Sequence, residues 1–231
     1  MSIFLLDDEN SFPPVEYAGR EGLLAVGGDL NINRLISAYR QGIFPWYSSD
    51  SPILWWSPDP RMILLPNNFI LRKSLRNTLN KNTYEVRFDT NFREVIKLCA
   101  QVKRKDQEDT WITPQMMEAY IRLHKSGYCH SAESYHQNKL VGGLYGVSLG
   151  KAFFGESMFH TMRDASKVAL YYLVKKLQAW NFDFIDVQQD TQHLRSLGAR
   201  PLSRNKFLTL LKESLQHPDR TGNWNDDEKG N

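Results

Sequence analysis

The spacing of apolar positions along the chain changes character after Pro66. Before it, short apolar runs are interrupted by Pro13, Pro14, Gly19, Gly22, Gly27, Gly28, Pro45, Pro52, Pro58 and Pro60, the residue types that punctuate turns. One helix stands out there. Asn31 or Asn33 is placed to cap it, Leu35, Ile36 and Tyr39 share a face, and Gly42 is placed to end it in a left-handed conformation.

Beyond Pro66, strand and helix periods alternate. Tyr84, Val86 and Phe88 repeat every second residue, and Thr90 is placed to cap a helix whose Phe92, Val95, Ile96 and Cys99 form one stripe. Thr113 and Pro114 open the next helix, which turns Met117, Tyr120 and Leu123 inward and stops at Gly127. Strands are predicted over 130–136, 139–148 and 151–159, joined by the polar turns Gln137-Asn138 and Gly150-Lys151. A helix over 165–180 buries Ala169, Tyr172, Leu173 and Leu177, the run Phe182–Gln188 reads as a strand, and a last helix capped by Ser203 carries Phe207, Leu210, Leu211 and Leu215. The chain turns polar from Pro218 and is expected to be loose there. This order predicts an α+β fold: a small N-terminal domain over 1–62, then an N-acetyltransferase-like (GNAT-type) domain over 63–231 with a mixed, largely antiparallel sheet flanked by helices.

Composition narrows the class. The 231 residues, 41% of them hydrophobic, suffice for a core without covalent staples. Cys99 and Cys129 form no CxxC pair and fit reduced thiols of a cytoplasmic protein. The start MSIFLLDDEN has neither a basic leader nor a small-residue cleavage site, and no apolar stretch approaches the roughly 20 residues of a membrane span. Net charge is only +3, but between Asn67 and Lys105 ten basic residues face three acidic ones. Such a block suits a polyanion through counterion release, and it suits a merely solvated face equally well.

The sequence has no GxxxxGK[ST] or GxGxxG, no HExxH, and no glycine between Gly155 and Gly198, where a coenzyme A enzyme of this fold would hold pyrophosphate. Ser157 lacks the second glycine of a nucleophile elbow, and His130 with His136 is a poor zinc site, so no metal is expected. Three features remain. Phe44, Trp46, Tyr47, Trp55 and Trp56 cluster within thirteen residues and serve either a core or base stacking. In Gly155-Glu156-Ser157-Met158-Phe159, alternation puts Glu156 and Met158 on one side and Ser157 on the other, either as a binding position or as an exposed strand end. Asp186 and Gln188 flank Val187 in an apolar strand and, by the same alternation, share a face. They suit either the orientation of a small polar group or a satisfied polar pair.

Taken together, the runs GLLAVGGDL at 22–30, GIFPW at 42–46, ILWWSPDPR at 53–61, TWIT at 110–113, LVGGLYGV at 140–147, FGESMF at 154–159, ASK at 165–167, IDVQ at 185–188 and SLGA at 196–199 resemble the bacterial leucyl/phenylalanyl-tRNA protein transferases. The resemblance spans nearly the whole chain. It implies transfer of Leu or Phe, with Met as a further donor, from aminoacyl-tRNA to proteins beginning with Arg or Lys, which marks them for degradation. It implies no cofactor and no metal. Trp46 and Trp111 match the groups that hold the terminal adenosine. Leu144, Phe153, Met158, Leu170, Leu173 and Ile185 match the pocket for the donor side chain, with Leu144 and Leu173 standing where Met and Phe occur in the family. Glu156, Asp186 and Gln188 match the polar centre.

For the chemistry, Gln188 is expected to orient the attacking amine, Asp186 to polarise Gln188 or receive the proton through water, and Glu156 to attract the acceptor's cationic side chain. Arg72, Lys73, Arg76, Lys81, Lys103, Arg104 and Lys105 are expected to include contacts to the acceptor-stem backbone. The expected molecule is a cytoplasmic monomer with Leu-tRNA, Phe-tRNA and acceptor proteins as partners and no membrane. Two other readings stand beside it: a coenzyme A-dependent N-acetyltransferase, which leaves the tryptophans unexplained, and a non-catalytic RNA-binding module, which gives Asp186-Val187-Gln188 no task.

Overall fold

The computed structural model describes residues 3–7, 9–19, 21–102 and 111–225. The first sheet contains β1 (Phe4–Leu6), β2 (Leu23–Gly27), β3 (Phe44–Pro45) and β4 (Leu54–Trp56), in the order β1-β2-β4-β3, with α1 (Ile32–Arg40) between β2 and β3. Asn31 caps α1 by accepting a hydrogen bond from the Arg34 amide at 2.8 Å, and Gly42 follows with φ +72°.

The second sheet is built from β5 (Arg61–Leu64), β6 (Glu85–Phe88), β7 (Cys129–His136), β8 (Lys139–Leu149), β9 (Ala152–His160), β10 (Phe184–Gln188) and β11 (Arg200–Leu202). Their order is β11-β5-β10-β9-β8-β7-β6, and only the β9/β10 pair is parallel. The helices are α2 (Lys73–Asn80), α3 (Phe92–Ala100), α4 (Pro114–Lys125), α5 (Ala165–Ala179), α6 (Gln192–Ser196) and α7 (Arg204–Ser214). The fold is thus α+β with a mixed, largely antiparallel main sheet. Arg61 and Met62 are paired in this second sheet.

The two faces of the main sheet bury separate cores. One joins Tyr39, Trp55, Val95, Tyr120, Tyr145 and Phe154; the other, beneath α5, joins Leu144, Phe153, Leu170, Leu173 and Ile185. The Gln137-Asn138 turn has φ of 49° and 59°, the two left-handed residues of a tight hairpin.

Four expectations change. Thr90 does not cap α3: its hydroxyl donates to Glu133, and the Glu133 carboxylate instead accepts the Asn91 amide at 2.8 Å. Ser203 makes no side-chain cap, because Asp59 accepts the Arg204 amide at 3.0 Å. Tyr172 is 41% exposed rather than buried, since α5 turns its neighbours Leu170 and Leu173 to the sheet. The tail from Pro218 is not loose through Trp224: the Trp224 ring is 1% exposed and its amide donates to Asp89 at 2.9 Å. Its polarity is local, and one large apolar side chain anchors it.

Candidate active site

The site lies where the parallel pair comes apart. β9 and β10 pair through Phe184↔Ala152, Ile185↔Phe153 and Asp186↔Phe154. Beyond that point each strand carries an extra residue against its other neighbour. Tyr145 faces Ser157 and Gly146 faces Gly155, which leaves Glu156 unpaired; Asp186 faces Ile63 and Gln188 faces Met62, which leaves Val187 unpaired. Such bulges bend strands and re-aim side chains.

The bulges overturn simple alternation at both places. Glu156 turns toward the core that holds Tyr39 and Tyr120, while Met158 packs on the other core beneath α5. Asp186 does not line the cavity that opens beside it, whereas Gln188 does. Gln188 adopts φ +60°, and its amide N–H donates to Asp186 Oδ1 at 3.0 Å, so the carboxylate holds the turn that presents the side chain.

The cavity measures about 310 Å³. Leu144, Phe153, Met158, Leu170, Leu173 and Ile185 all line it, joined by Leu64 and Val187. Trp46 and Trp111 line it too, with Phe44 and Pro45 beside them, and Tyr145, Gly155, Glu156, Ser157, Gln188, Gln189, Thr191, His193 and Leu194 complete the boundary. Trp46 is half-buried and meets Trp56 edge-on at 5.7 Å. The Trp56 indole N–H donates to the Trp46 carbonyl at 2.7 Å, and that of Trp55 donates to the Gly27 carbonyl at 2.9 Å. Trp56 therefore holds Trp46, one of the two tryptophans that border the cavity, by ring contact and by hydrogen bond.

Glu156 is the polar hub. Its Oε1 accepts from the Tyr39 hydroxyl at 2.7 Å and from Gln188 Nε2 at 3.0 Å, and its Oε2 accepts from the Tyr120 hydroxyl at 3.1 Å. The two tyrosine hydroxyls also bond each other. Burial raises the Glu156 carboxyl to about 7; the Tyr39 and Tyr120 hydrogen bonds pull it down and the Asp186 charge pushes it up again. Burial, with the Glu156 charge next, pushes the hydroxyls of Tyr39, Tyr120 and Tyr145 well above their ordinary value. A carboxylate only accepts, so it fixes which way the Gln188 amide faces and leaves the carbonyl end of that amide for another donor.

Asp186 is held by Arg61. Arg61 Nε lies 2.9 and 3.0 Å from the two carboxylate oxygens, Nη2 lies 2.7 Å from Oδ2, and neither side chain is more than 1% exposed. The guanidinium sits 4.6 Å from the Phe44 ring centre and 4.8 Å from that of Phe207. Its Nη1 is buried without a hydrogen-bond partner. Arg61, Tyr39 and Tyr120 received no functional role from the sequence. A signal existed for Arg61, a lone charge inside the apolar run RMILL, which needs a buried counter-ion. None existed for the tyrosines, whose helical stripes look like ordinary core.

Arg72, Lys73, Arg76 and Lys81 are exposed on and beside α2, and none lines the cavity. Lys103, Arg104 and Lys105 lie outside the described residues. Within the same basic block, Arg87, Arg93 and Lys97 pair with Glu85, Glu118 and Glu94, so three of its seven described basic residues are engaged with carboxylates. One link joins the block to the cavity. His193, on its boundary, is held below its ordinary value by burial and then by the positive charges of Lys167, Arg72 and His160. Among the described residues no group of three or more His, Cys, Asp or Glu side chains could hold a metal ion, and no helix is long and apolar enough to cross a membrane. His130 is instead buried against Asp89, its Nδ1 2.8 Å from the carboxylate.

Comparison with known proteins places this arrangement. Residues 63–212 match the family model described as leucyl/phenylalanyl-tRNA protein transferase, and residues 28–59 match that of its N-terminal domain. The chain belongs to that family. Transferases of this name from Legionella pneumophila strain Corby and Syntrophobacter fumaroxidans are 53% and 56% identical to it, covering 96% and 93% of this chain and 99% and 92% of their own. The Myxococcus xanthus transferase is 52% identical, with 97% of each chain covered. A solved N-acetyltransferase from Kribbella flavida aligns with 73% of this chain and 60% of its own at 10% identity and a TM-score of 0.39, a likeness that carries no functional inference. As in the naming of its relatives, this leucyl/phenylalanyl-tRNA protein transferase family member is an aminoacyltransferase.

Proposed function

We propose that the protein transfers Leu or Phe, and also Met, from aminoacyl-tRNA to the α-amino group of proteins beginning with Arg or Lys, marking them for degradation. It acts in the cytoplasm, as a monomer, with neither metal nor coenzyme A. The observation that carries this reading is an apolar cavity of about 310 Å³ with one oriented amide, Gln188, at its boundary. That volume falls at the lower end of the range for small-ligand sites.

In this reading the donor side chain enters among Leu144, Phe153, Met158, Leu170, Leu173 and Ile185, where burial contributes about 1.5–3 kcal/mol for a Leu or Phe side chain. Trp46 and Trp111 hold the terminal adenosine between an aromatic face and the cavity wall. Lys167, Arg72 and His193, with the exposed basic residues of α2, face the phosphates.

The ester carbonyl then lies beside Gln188. The acceptor amine must be neutral to attack, and its reference pKa of about 7.7–8.0 leaves much of it protonated at neutral pH. The Gln188 carbonyl oxygen accepts one N–H of the neutral amine and aims its lone pair at the ester carbon. The C–N bond forms, the bond from carbon to the ribose oxygen breaks, and the amine proton passes through water to the departing ribose hydroxyl. Asp186 supplies no base here: it is saturated by Arg61 and by the Gln188 amide, behind the cavity wall. Its task is positioning, and positioning accounts for most of the acceleration. Glu156 adds negative charge near the amine and locks the Gln188 amide.

The test is transfer of labelled Leu, from charged tRNA or from acetyl-coenzyme A as the rival donor, onto matched peptides starting with Arg, Lys or Ala. Transfer from Leu-tRNA to the Arg and Lys peptides alone is expected. Acetyl transfer without tRNA, or equal labelling of the Ala peptide, overturns the reading.

A further inference from the structure

The segment 218–225 is tied down against the body of the fold. Asp219 accepts the Gly150 amide at 2.8 Å and pairs with Arg40 at 2.7 Å, and the Arg220 guanidinium lies 3.9 Å from the Trp180 ring centre. At its end, Trp224 is almost completely buried. Its indole stacks on the His130 ring at 3.8 Å and 8°, meets Trp180 edge-on at 4.9 Å, and touches the Phe153 ring at 5.9 Å. Asp89 fixes the arrangement from below: its carboxylate takes the His130 ring nitrogen at 2.8 Å, the Ser131 amide at 2.8 Å and the Trp224 amide at 2.9 Å.

Phe153 connects this anchor to the cavity. It is 1% exposed and lines the cavity wall. Beside it β8 carries Gly146, where an added Cβ would lie 2.5 Å from the Phe153 ring. The ring is thus confined by the β8 backbone on one side and by the Trp224 indole on another. Close-packed interiors transmit such confinement, because a ring held on two sides has no third place to go.

We infer that Trp224 is a specificity-determining positioning residue: through Phe153 it fixes the depth of the cavity. This rests on the reading of the cavity as the donor side-chain pocket. With a smaller side chain at 224 the Phe153 ring relaxes toward the vacated space. The pocket then deepens and the larger donor gains over the smaller. A change of one or two methylenes in an apolar pocket alters discrimination by about 10–200-fold.

The experiment measures kcat/KM for Leu-tRNA and Phe-tRNA with wild type, W224F, W224L and F153L, each well below its melting temperature. A non-hydrolysable amide analogue of leucyl-adenosine is titrated alongside. The Phe-to-Leu ratio is expected to rise by about tenfold in W224L and in F153L and by less in W224F, with analogue affinity falling in the same order. A purely structural tail would lower the melting temperature of W224L and leave the ratio unchanged. A folded W224F and W224L with the wild-type ratio overturns the inference, as does a raised ratio in F153L alone. If W224L does not fold, W224F decides by the same criterion. Failure of the underlying reading looks different, because wild type itself would then transfer neither amino acid nor bind the analogue.

Discussion

Arg61 and Asp186 meet as a two-pronged ion pair, 2.7 Å at its shortest, with both side chains out of contact with solvent. The pair joins β5 to the end of β10, and through the Gln188 amide it sets the turn from which Gln188 reaches the cavity.

Removing one partner leaves a buried charge without its counter-ion, a loss of about 3–5 kcal/mol. Asp186→Ala should therefore lose stability on that scale in urea unfolding, whereas the apolar double replacement Arg61→Met with Asp186→Leu should recover most of it. Transfer activity should stay low in both. Asp186→Asn keeps an oxygen that can accept the Gln188 amide, so a parent transfer rate from pH 6 to 9 in that variant would exclude a proton-accepting role and leave positioning as the task.

Glu156 gives the protein a titration near neutrality. Its ordinary value is 4.5 and its value in the fold is about 7. Between them the folded chain keeps a proton that the unfolded chain has released, so this contribution is fully present below pH 4.5 and is lost as pH rises through 7. Melting temperature should fall across that window by more in wild type than in Glu156→Gln, corresponding to about 3 kcal/mol. An equal slope in the two proteins would remove the assignment.

Tyr39 and Tyr120 each donate to that carboxylate and hold its pKa down. Tyr39→Phe or Tyr120→Phe should move the titration upward. With the carboxylate needed to orient Gln188, the low-pH limb of the kcat profile should shift to higher pH, while the limb from the peptide amine stays in place. Unchanged limbs would mean that these hydroxyls serve the core alone.

Leu173 lines the cavity from α5 and is 1% exposed. Leu173→Phe should fill part of the pocket and lower kcat/KM for Phe-tRNA by about tenfold more than for Leu-tRNA. Paired donor assays read this directly.

Neutralising Arg72, Lys73, Arg76 and Lys81 together to Gln should weaken every charged tRNA alike and flatten the dependence of affinity on salt between about 50 and 200 mM. Filter binding at several salt concentrations decides it, and an unaltered slope would place the tRNA elsewhere.

Much of this was legible in the chain, and the losses have a common cause. The stripe Phe92, Val95, Ile96, Cys99 and the extents of β7 to β9 read directly, the first from its helical period and the second from the polar turns that bound them. The apolar wall around Leu144, Phe153 and Ile185 was reachable through the family motifs. What periodicity could not supply was the effect of a single inserted residue. Glu156 and Val187 each break the alternation, so Glu156 leaves the side of Met158, and Asp186 turns away from the cavity to an arginine 125 positions earlier in the chain. Caps failed similarly, since Glu133 and Asp59 supply from a distance what Thr90 and Ser203 were expected to supply locally. Trp224 was hidden because a lone aromatic in a polar tail has no pattern at all.

The guanidinium of Arg61 rests on Phe44, a neighbour of Trp46 in the first sheet, while its charge grips β10 of the second. In the proposed function, one side chain would thereby act as a rivet between the platform for the nucleoside and the strand that presents the attacking partner. Both halves of the proposed reaction would then be referred to a common fixed point, and an error of about 1 Å between them can cost 100-fold in rate. Loosening that rivet should spoil alignment before it spoils affinity.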